Sequence, residues 1–381
     1  MSSIPSDIKD IHIVQAVTIR WYNACAHYAV TLARGLQGIG CRVTVAGGKG
    51  TPALDHARDN SIPVLALPMP PAYNIAGHKR LIDKVKRFSE KEDVSLVNVH
   101  HGVDHTAWLL GLRGTGIPLI RTSGNQYPPK VHPVSRLIMK RTGAVIATSK
   151  LVREYYLNGF GIPEFNVPVI NGGVDDIFYS PDKREASLRG ELGIPDNAYV
   201  FGIIGRFSPV KGHRYFIEAA GIIAQKHPQA WFLIAGSEAQ MKLSDIQGMV
   251  QDAGISDRTR ITGRHKNSRR LISTIDAGVV ASIGSETICR IAMEYMAMNV
   301  PVIATNTNSV PEIIRDGQSG IIVPAGNSSA IVTAMEKFLE DSNYALDLGN
   351  GGRQIVERDY SLNSFARKTL DIYRRHGLNA G

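Results

Sequence analysis

Two glutamates eight positions apart, Glu286 and Glu294, have the type and spacing to bind a polar ligand. An apolar helical pattern follows the first glutamate and contains the second, and a strand-like segment, Val300–Thr305, comes next. We interpret Glu286 as the residue that enters the helix, with the unpaired backbone N–H groups of residues 287–289 behind it. Such a helix start attracts phosphate, and carboxylates beside it would bind sugar hydroxyls. The alternative is that Glu286 caps the helix and that Glu294 is a surface or ion-paired residue.

A pair of cations lies upstream, where a strand-like segment at residues 200–205 leads into the loop Arg206–Gly212. Arg206 and Lys211 stand five positions apart in this loop, just before another helical pattern. Two cations at the carboxyl end of a strand suit an anionic ligand such as a diphosphate. A pair of solvated loop cations is the alternative.

Together these motifs resemble the retaining glycosyltransferases of family 4. The resemblance runs from about residue 200 to 340 and keeps its segments in order: the basic loop, the glutamate pair, Val300–Thr305 and Val310–Pro324. It implies an α/β fold of two doubly wound parallel-sheet (Rossmann-like) domains that face each other across a cleft. It also implies transfer of a sugar, with retention, from a nucleotide-sugar donor to an acceptor hydroxyl, with no metal and no cofactor.

The resemblance implies a role for each matching residue. Arg206 and Lys211 would bind the donor diphosphate and stabilise the leaving group. Glu294 would bind the ribose hydroxyls, and Glu286 would bind hydroxyls of the transferred sugar. The turn that carries Arg264 would pack on the nucleotide base.

The segment between the two glutamates departs from the family pattern. The backbone amides at Thr287, Ile288 and Cys289 would contact donor phosphate or sugar, but relatives often have glycine at the first and third of these positions. A Cβ atom restricts positive φ angles and close backbone approach. We therefore expect an altered donor-phosphate loop or an unusual donor sugar.

The N-terminal half begins with the pattern of a βαβ unit: a strand over residues 11–17, a helix over 24–36 and a strand over 42–46. Relatives often carry a Gly-Gly pair at the first turn, and Asn23 with Ala24 takes that place here. We assign Asn23 to the acceptor side.

A cluster of histidines follows the strand-like residues 95–99. In proteins that resemble this one, a histidine at this strand end lies near the transferred sugar, and His100 matches it best. We therefore predict a catalytic role for His100 and an acceptor-side position for His101. A metal site formed with Asp104 and His105 is a competing interpretation, although adjacent strand residues point to opposite faces. A capping or hydrogen-bonded loop histidine is a third.

Arg121 lies on the next strand-like segment, which runs into a polar loop that contains Lys130. Loops at strand ends carry function more often than the elements that they join. Arg121 is therefore an acceptor-side candidate that could contact an anionic acceptor, and a rigid surface loop is the alternative.

Length and composition predict two domains. A chain of 381 residues exceeds what one core usually supports, and 43% hydrophobic with 20% charged residues is ordinary for a globular protein. We place the boundary after Gly172 and Gly173. This gives an acceptor-side domain at residues 1–175, a donor domain at 176–360, and a C-terminal helix at 361–381. The resemblance implies that this helix packs back on the first domain.

The net charge of +9 favours anionic partners. The basic helical stretch His78–Phe88 could rest on anionic lipid, and a solvated face over a packed apolar stripe is the alternative. Three cysteines argue against a disulfide framework and a four-ligand zinc site. No signal peptide or apolar run of about 18 residues is visible, so we expect a cytoplasmic protein that could associate peripherally with the inner face of the membrane. No nucleic-acid motif is present.

Two other functions stay open at this point. One is a sugar-nucleotide epimerase of the same architecture, which needs no acceptor. The other is a non-catalytic protein that binds nucleotide sugars. For a transferase we expect a carbohydrate or lipid-linked acceptor, in the synthesis of cell-envelope polysaccharide or lipopolysaccharide.

Overall fold

The computed structural model describes residues 8–71, 73–183, 187–263, 265, 268–284 and 286–378. The chain divides into two compact units. Unit 1 contains Met1–Gly173 and Tyr360–Gly381, and unit 2 contains Val174–Asp359. The two ends of the chain therefore belong to one unit.

Unit 1 is built on a six-stranded parallel sheet. Its strands are β1 (His12–Ala16), β2 (Arg42–Gly48), β3 (Val64–Leu67), β4 (Leu96–Val99), β5 (Leu119–Ser123) and β6 (Val145–Ala147). Its helices are α1 (Ala24–Gly38), α2 (Pro52–Asp59), α3 (Ile75–Lys91), α4 (Gly102–Gly111), α5 (Pro133–Lys140), α6 (Lys150–Phe160) and, at the C-terminus, α15 (Leu362–Arg375). The strand order is β3, β2, β1, β4, β5, β6.

Unit 2 repeats this architecture. Its strands are β7 (Tyr199–Ile204), β8 (Ala230–Ala235), β9 (Thr259–Thr262), β10 (Ala277–Val280), β11 (Val302–Thr305) and β12 (Ile321–Val323). Its helices are α7 (Arg189–Leu192), α8 (His213–Lys226), α9 (Leu243–Asp252), α10 (Ser268–Ile272), α11 (Arg290–Ala297), α12 (Val310–Ile313), α13 (Ser328–Glu340) and α14 (Ser342–Ile355). The strand order is β12, β11, β10, β7, β8, β9.

Both sheets are doubly wound, which confirms the predicted fold class. In unit 1 the strand order reverses between β1 and β4, and in unit 2 it reverses between β7 and β10. The central strands β7 and β10 of unit 2 are mostly apolar, as expected where helices cover both faces of a parallel sheet, whereas β1, β4 and β5 of unit 1 also carry polar residues such as Gln15, Asn98 and Arg121. Ligands of such sheets bind at the carboxyl ends of the strands, at the point of reversal.

Helix α15 packs on α1 within unit 1. The Ser361 hydroxyl caps it by accepting the N–H of Ser364 at 3.2 Å. The Phe365 ring meets the Tyr28 ring edge to face, with centroids 4.8 Å apart. A Cβ atom at Gly35 would lie only 2.7 Å from the Leu362 carbonyl oxygen, so glycine permits this close approach.

The basic helix α3 buries its apolar stripe, including Leu81 and Val85, and packs against α4. A solvated basic face over a packed stripe is therefore what the structure shows. No helix among the described residues is long and apolar enough to cross a membrane.

Candidate functional site

The point of reversal in unit 2 brings two loops together. One loop follows β7 and carries Lys211, and the other follows β10 and carries Glu286. Gly212 makes the approach possible: its φ is +71°, and a Cβ atom there would lie 1.8 Å from the Ala281 carbonyl oxygen. Only glycine adopts this conformation at this distance without strain.

Lys211 and Glu286 form an ion pair through Nζ and Oε1. The Ser282 hydroxyl donates to the same carboxylate oxygen at 2.6 Å. Glu286 is almost fully buried, whereas 22% of the Lys211 side-chain surface is exposed to solvent. The Glu286 backbone carbonyl accepts the N–H of Ser309 at 2.9 Å and its hydroxyl at 2.6 Å. Both the side chain and the backbone of Glu286 are therefore held by hydrogen bonds.

The prediction that Glu286 enters the helix is wrong. Helix α11 begins four residues later, at Arg290, and its N-cap is Cys289 with φ −86° and ψ 70°. The hydrogen bonds from Ser309 hold the Glu286 backbone outside the helix, and the β-branched Thr287 and Ile288 have low helix propensity. The amides of residues 287–289 are therefore loop amides rather than the start of a helix.

The three residues after Glu286 are all buried. Neither Thr287 nor Cys289 has a positive φ, so their Cβ atoms bring no backbone strain where relatives often have glycine. Burial raises the pKa of the Cys289 thiol well above its usual value. This cysteine therefore stays neutral, and its thiol is a weak hydrogen-bond partner of the buried Glu286 carboxylate.

Glu294 lies inside α11 and is fully buried. The Nε atom of Arg290 is 3.2 Å from its Oε1 atom, but neither carboxylate oxygen makes a hydrogen bond with a described residue. The Tyr179 hydroxyl pairs with the Ser268 hydroxyl, 2.6 Å away, and also lies close to the Glu294 carboxylate. Burial raises the pKa of Glu294, and the Arg290 guanidinium and the Tyr179 hydroxyl oppose this. Buried carboxylate oxygens normally accept well-formed hydrogen bonds, so Glu294 keeps acceptor capacity that its described neighbours do not fill.

The remaining donor-side candidates lie apart from this pair. Arg206 is exposed on the loop after β7 and makes no hydrogen bond or ion pair with any residue that the structure describes. Arg264 lies outside the described residues. Unit 2 thus joins Lys211 to Glu286 and leaves Arg206 and Glu294 with hydrogen-bonding capacity for a ligand.

In unit 1, His100 stands directly after β4, at the point where the strand order reverses. Its Nε2 atom is 2.8 Å from Gln15 Oε1. Gln15 also accepts from Asn98 Nδ2 at 3.1 Å and donates to the Tyr373 hydroxyl at 3.1 Å, which identifies Oε1 as its carbonyl oxygen. His100 therefore donates from Nε2, and Nδ1 carries the lone pair. Burial lowers the pKa of His100 to about 3, so the ring is neutral.

The other polar residues of the histidine cluster have separate partners. Asp104 accepts the Thr18 N–H at 2.8 Å and the Thr18 hydroxyl, and burial raises the pKa of Asp104 to about 6. His101 is the exposed N-cap residue of α4. Among the described residues no group of three or more His, Cys, Asp or Glu is arranged to hold a metal ion. The metal interpretation therefore finds no support at this strand end.

Arg121 and Asn23, the other acceptor-side candidates, also belong to unit 1. Arg121 is buried on β5 and contacts His105 Nδ1 through Nη1 at 3.0 Å. Asn23 caps α1, since its Oδ1 atom accepts the Ala26 N–H at 3.0 Å. This cap uses the side-chain oxygen, so the amide nitrogen is the part of Asn23 left for a ligand.

Sequence reasoning missed three positioning residues. Ser282 follows β10 and bonds to Glu286, and the polar side chain of Gln15 interrupts an otherwise apolar strand, which was a visible signal. Tyr373 had no local signal, because its partners Gln15 and Asn98 lie 358 and 275 positions away in the chain.

Family models match both halves of the chain. The model described as glycosyl transferases group 1 matches residues 150–355, and the model of glycosyltransferase family 4 matches residues 26–177.

Two curated relatives and one solved structure show how far the similarity extends. The chain is 27% identical over 247 residues to the alpha-D-kanosaminyltransferase of Streptomyces kanamyceticus, which is 64% of this chain but only 63% of that enzyme. It is 26% identical to the lipopolysaccharide core biosynthesis mannosyltransferase LpsB of Rhizobium meliloti, over 63% of this chain and 67% of that enzyme. The structure of Anabaena Alr3699/HepE in complex with UDP-glucose superimposes with a TM-score of 0.77 at 18% identity, over 96% of this chain and all of that one (100%). At this identity the structural likeness concerns the fold alone.

Proposed function

This chain belongs to the glycosyl transferases of group 1 and family 4, and on that premise we propose that it transfers a sugar, with retention, from a nucleotide-sugar donor to an acceptor hydroxyl. The observation that carries the proposal is Glu294: a fully buried carboxylate in the helix that follows β10, with Arg290 as its nearby cation and with no hydrogen bond of good geometry from a described residue to either oxygen. A ribose offers two adjacent hydroxyl donors, which match those two oxygens. The UDP-glucose bound to Anabaena Alr3699/HepE supports a donor of this class.

In this proposal the leaving diphosphate is bound by Lys211 and Arg206. Lys211 is paired with Glu286 but keeps part of its surface exposed, so it can turn toward a phosphate without moving the backbone. Arg206 is exposed and unpaired among the described residues, and it adds a second cation. Fixed cations that face developing negative charge commonly make the largest contribution to catalysis.

Glu286 is proposed to bind hydroxyls of the transferred sugar. Its backbone is fixed by Ser309, and its carboxylate shares one oxygen with Lys211 and Ser282, which leaves acceptor sites on the other oxygen. We assign it a binding role and not that of a covalent nucleophile. The leaving phosphate is proposed to assist removal of the acceptor proton on the same face of the sugar, without a metal ion.

Unit 1 is proposed to bind the acceptor and the reacting end of the sugar. Neutral His100 holds an acceptor lone pair on Nδ1, which suits a sugar hydroxyl, and it is fixed by Gln15. Asn23, His101 and Arg121 are the proposed acceptor-side contacts. Similarity to a lipopolysaccharide core mannosyltransferase supports an acceptor in cell-envelope polysaccharide or lipopolysaccharide synthesis, and the net charge of +9 supports contact with an anionic membrane surface.

The test begins with a thermal-shift screen of UDP-, GDP-, dTDP- and ADP-sugars, followed by hydrolysis and transfer assays with the tightest donor. Lys211→Ala and Glu294→Ala should each lower turnover by about 100-fold or more, as loss of a group that stabilises transition-state charge or positions substrate does. The matched control is Lys226→Ala, since Lys226 lies on the neighbouring helix α8 in a surface ion pair with Glu336 at 2.6 Å.

Three outcomes would contradict the proposal. Near-normal turnover in both site variants would exclude the assigned roles. Tight donor binding without hydrolysis or transfer would indicate a non-catalytic binding protein, and conversion of the donor to an isomer would indicate an epimerase. The anomeric configuration of the product, read by NMR, tests retention separately.

A further inference from the structure

The guanidinium of Arg121 is an unusual group in unit 1, because it is a buried cation that makes no direct ion pair with a described residue. Arg121 lies in the middle of β5, paired with Val99 on one side and Val145 on the other, and only 8% of its surface is exposed. It makes no ion pair with any carboxylate among the described residues. Buried charges in proteins are normally paired, since removal of an ion from water is costly.

The hydrogen-bonded groups that orient Arg121 are all neutral. Arginine can only donate, so its contact with His105 requires the lone pair on Nδ1 and the proton on Nε2. That proton is donated to the Thr142 hydroxyl at 2.7 Å, and Thr142 donates to the Ile138 carbonyl at 2.9 Å. Burial, reinforced by the arginine, lowers the pKa of His105 to about 3, so this chain stays neutral. It orients the guanidinium but supplies no negative charge.

Asp104 is an acid within electrostatic range of Arg121, which opposes the rise that burial causes in the pKa of Asp104. The two make no direct ion pair, and the Asp104 oxygens instead accept the backbone N–H and the hydroxyl of Thr18. Two other groups in range supply no negative charge: burial raises the pKa of the Cys25 thiol, and partial desolvation together with Arg121 lowers the pKa of the exposed His101 imidazole. The positive charge of Arg121 is thus met by Asp104 at longer range and by no direct ion-pair partner among the described residues.

The donors of the guanidinium that have no protein partner differ in access. Nε is enclosed and has no hydrogen bond with a described residue. Nη2 also lacks such a bond but, unlike Nε, it keeps access to solvent. An incoming oxyanion can therefore reach one edge of a guanidinium that the sheet and His105 already hold in place. Because arginine binds carboxylate and phosphate in a fixed planar geometry, little side-chain entropy is lost on binding.

We propose that Arg121 is the centre of an anion subsite in unit 1 that binds a phosphate or carboxylate group of the acceptor. The acceptor assignment rests on the proposed function, whereas the anion subsite itself does not. The acceptor class is then a sugar or lipid-linked sugar that carries an oxyanion near the hydroxyl that receives the new sugar.

The first experiment measures binding without turnover. Glucose 6-phosphate, glucuronate and inorganic phosphate are titrated into the full chain, with uncharged glucose as the neutral comparison, and hydrogen exchange is followed in peptides that cover residues 100–125. We expect the charged ligands to slow exchange in these peptides and glucose to have no effect at equal concentration. Glucose 6-phosphate against glucuronate distinguishes a phosphate from a carboxylate group.

Arg121→Gln should weaken this binding at least about tenfold, the effect of losing one charge-assisted hydrogen bond. Arg113→Gln is the matched control, because Arg113 is exposed on the loop that precedes β5, at the opposite end of the strand. It should leave binding within about twofold. Equal binding by the wild type and the Arg121→Gln variant would overturn the subsite, and so would protection by glucose as strong as that by glucose 6-phosphate.

Stability provides an independent readout. If Arg121 serves a ligand, Arg121→Met removes a buried charge without orphaning a carboxylate, and the unfolding midpoint of the full chain should stay the same or rise. A marked fall, or failure to fold, would show a structural role and overturn the proposal. Arg121→Lys, which keeps the charge but not the planar fork, should fold and bind the charged ligands more weakly than the wild type. The donor assays on the Lys211 and Glu294 variants test the proposed function independently of these results.

Discussion

The Lys211–Glu286 pair should respond unequally to the loss of its two members. Lys211→Met leaves a carboxylate that is 2% exposed, with the neutral Ser282 hydroxyl and Cys289 thiol as its remaining side-chain partners among the described residues. Glu286→Gln leaves an ammonium group on a side chain that is 22% exposed and can turn into water. Breaking a buried pair by removing one partner costs about 3–5 kcal/mol, whereas exposed pairs contribute about 0–1 kcal/mol. We expect Lys211→Met to cost about 3 kcal/mol and Glu286→Gln about 1 kcal/mol.

The double variant sharpens the test. Lys211→Met with Glu286→Gln removes both charges, so the orphaned carboxylate of the first variant disappears. The double variant should then be more stable than Lys211→Met alone, with a coupling energy of about 1–3 kcal/mol between the two sites. Donor binding should be lost in all three variants, so stability and function separate.

Local measurement is required because a chain with two units does not unfold as a single two-state system. Hydrogen exchange of peptides that cover residues 205–216 and 281–289 reports the opening free energy of the two loops that hold the pair. The surface pair Lys226–Glu336 is the control, and its two single variants should cost less than about 1 kcal/mol each, without asymmetry. Equal costs for Lys211→Met and Glu286→Gln, or a larger cost for Glu286→Gln, would refute the reasoning.

Two further variants test the donor side. Burial raises the pKa of Glu294, so the stability that its protonated form gives is complete below the unfolded pKa and is lost as pH rises through the folded pKa. Glu294→Gln should therefore slow hydrogen exchange in peptides that cover α11 at pH 8, relative to the wild type at the same pH, have little effect near pH 4, and bind donor poorly. Faster exchange of these peptides at pH 8 would contradict this. Gly212→Ala should lower the free energy of unfolding by about 3 kcal/mol or more, because it adds a positive-φ penalty to a contact of 1.8 Å with the Ala281 carbonyl oxygen. The control Gly248→Ala, in open space within α9, should raise it by about 0.5–1 kcal/mol. Similar unfolding midpoints for the two variants would exclude the explanation that only glycine permits the approach of the two loops.

The strands and most helices could be predicted because their signals are local. Short segments rich in β-branched and other apolar residues mark β1, β2 and β7, and the helical pattern of α1 ends within two residues of the predicted position. The start of α11 could not be found in this way. Its apolar periodicity continues backward to Thr287, and what stops the helix is a hydrogen bond from Ser309, 23 positions downstream. Local periodicity carries no information about such a partner.

The candidate site shows the same division. Lys211 and Glu286 could be named from residue type and strand-end position, but their direct pairing across 75 positions could not. Likewise His100 could be placed at a strand end, yet its tautomer depends on Gln15, 85 positions away, and on Tyr373 at the far end of the chain. Side-chain type suggests which residues can take part, whereas protonation and pairing follow from tertiary contacts.

The two units differ in whether the protein itself provides an ion-pair partner for the cation at the candidate site. In unit 2 the cation Lys211 is neutralised within the protein by Glu286, so a diphosphate must compete with an existing partner. In unit 1 the cation Arg121 hydrogen-bonds to the neutral His105 and makes no direct ion pair with a described residue, so an anion would not have to displace a bound carboxylate. A ligand that displaces Glu286 from Lys211 also frees the carboxylate to accept sugar hydroxyls. On the proposed function, we therefore expect binding of diphosphate and binding of sugar to be cooperative, since each would stabilise the side chain that the other releases.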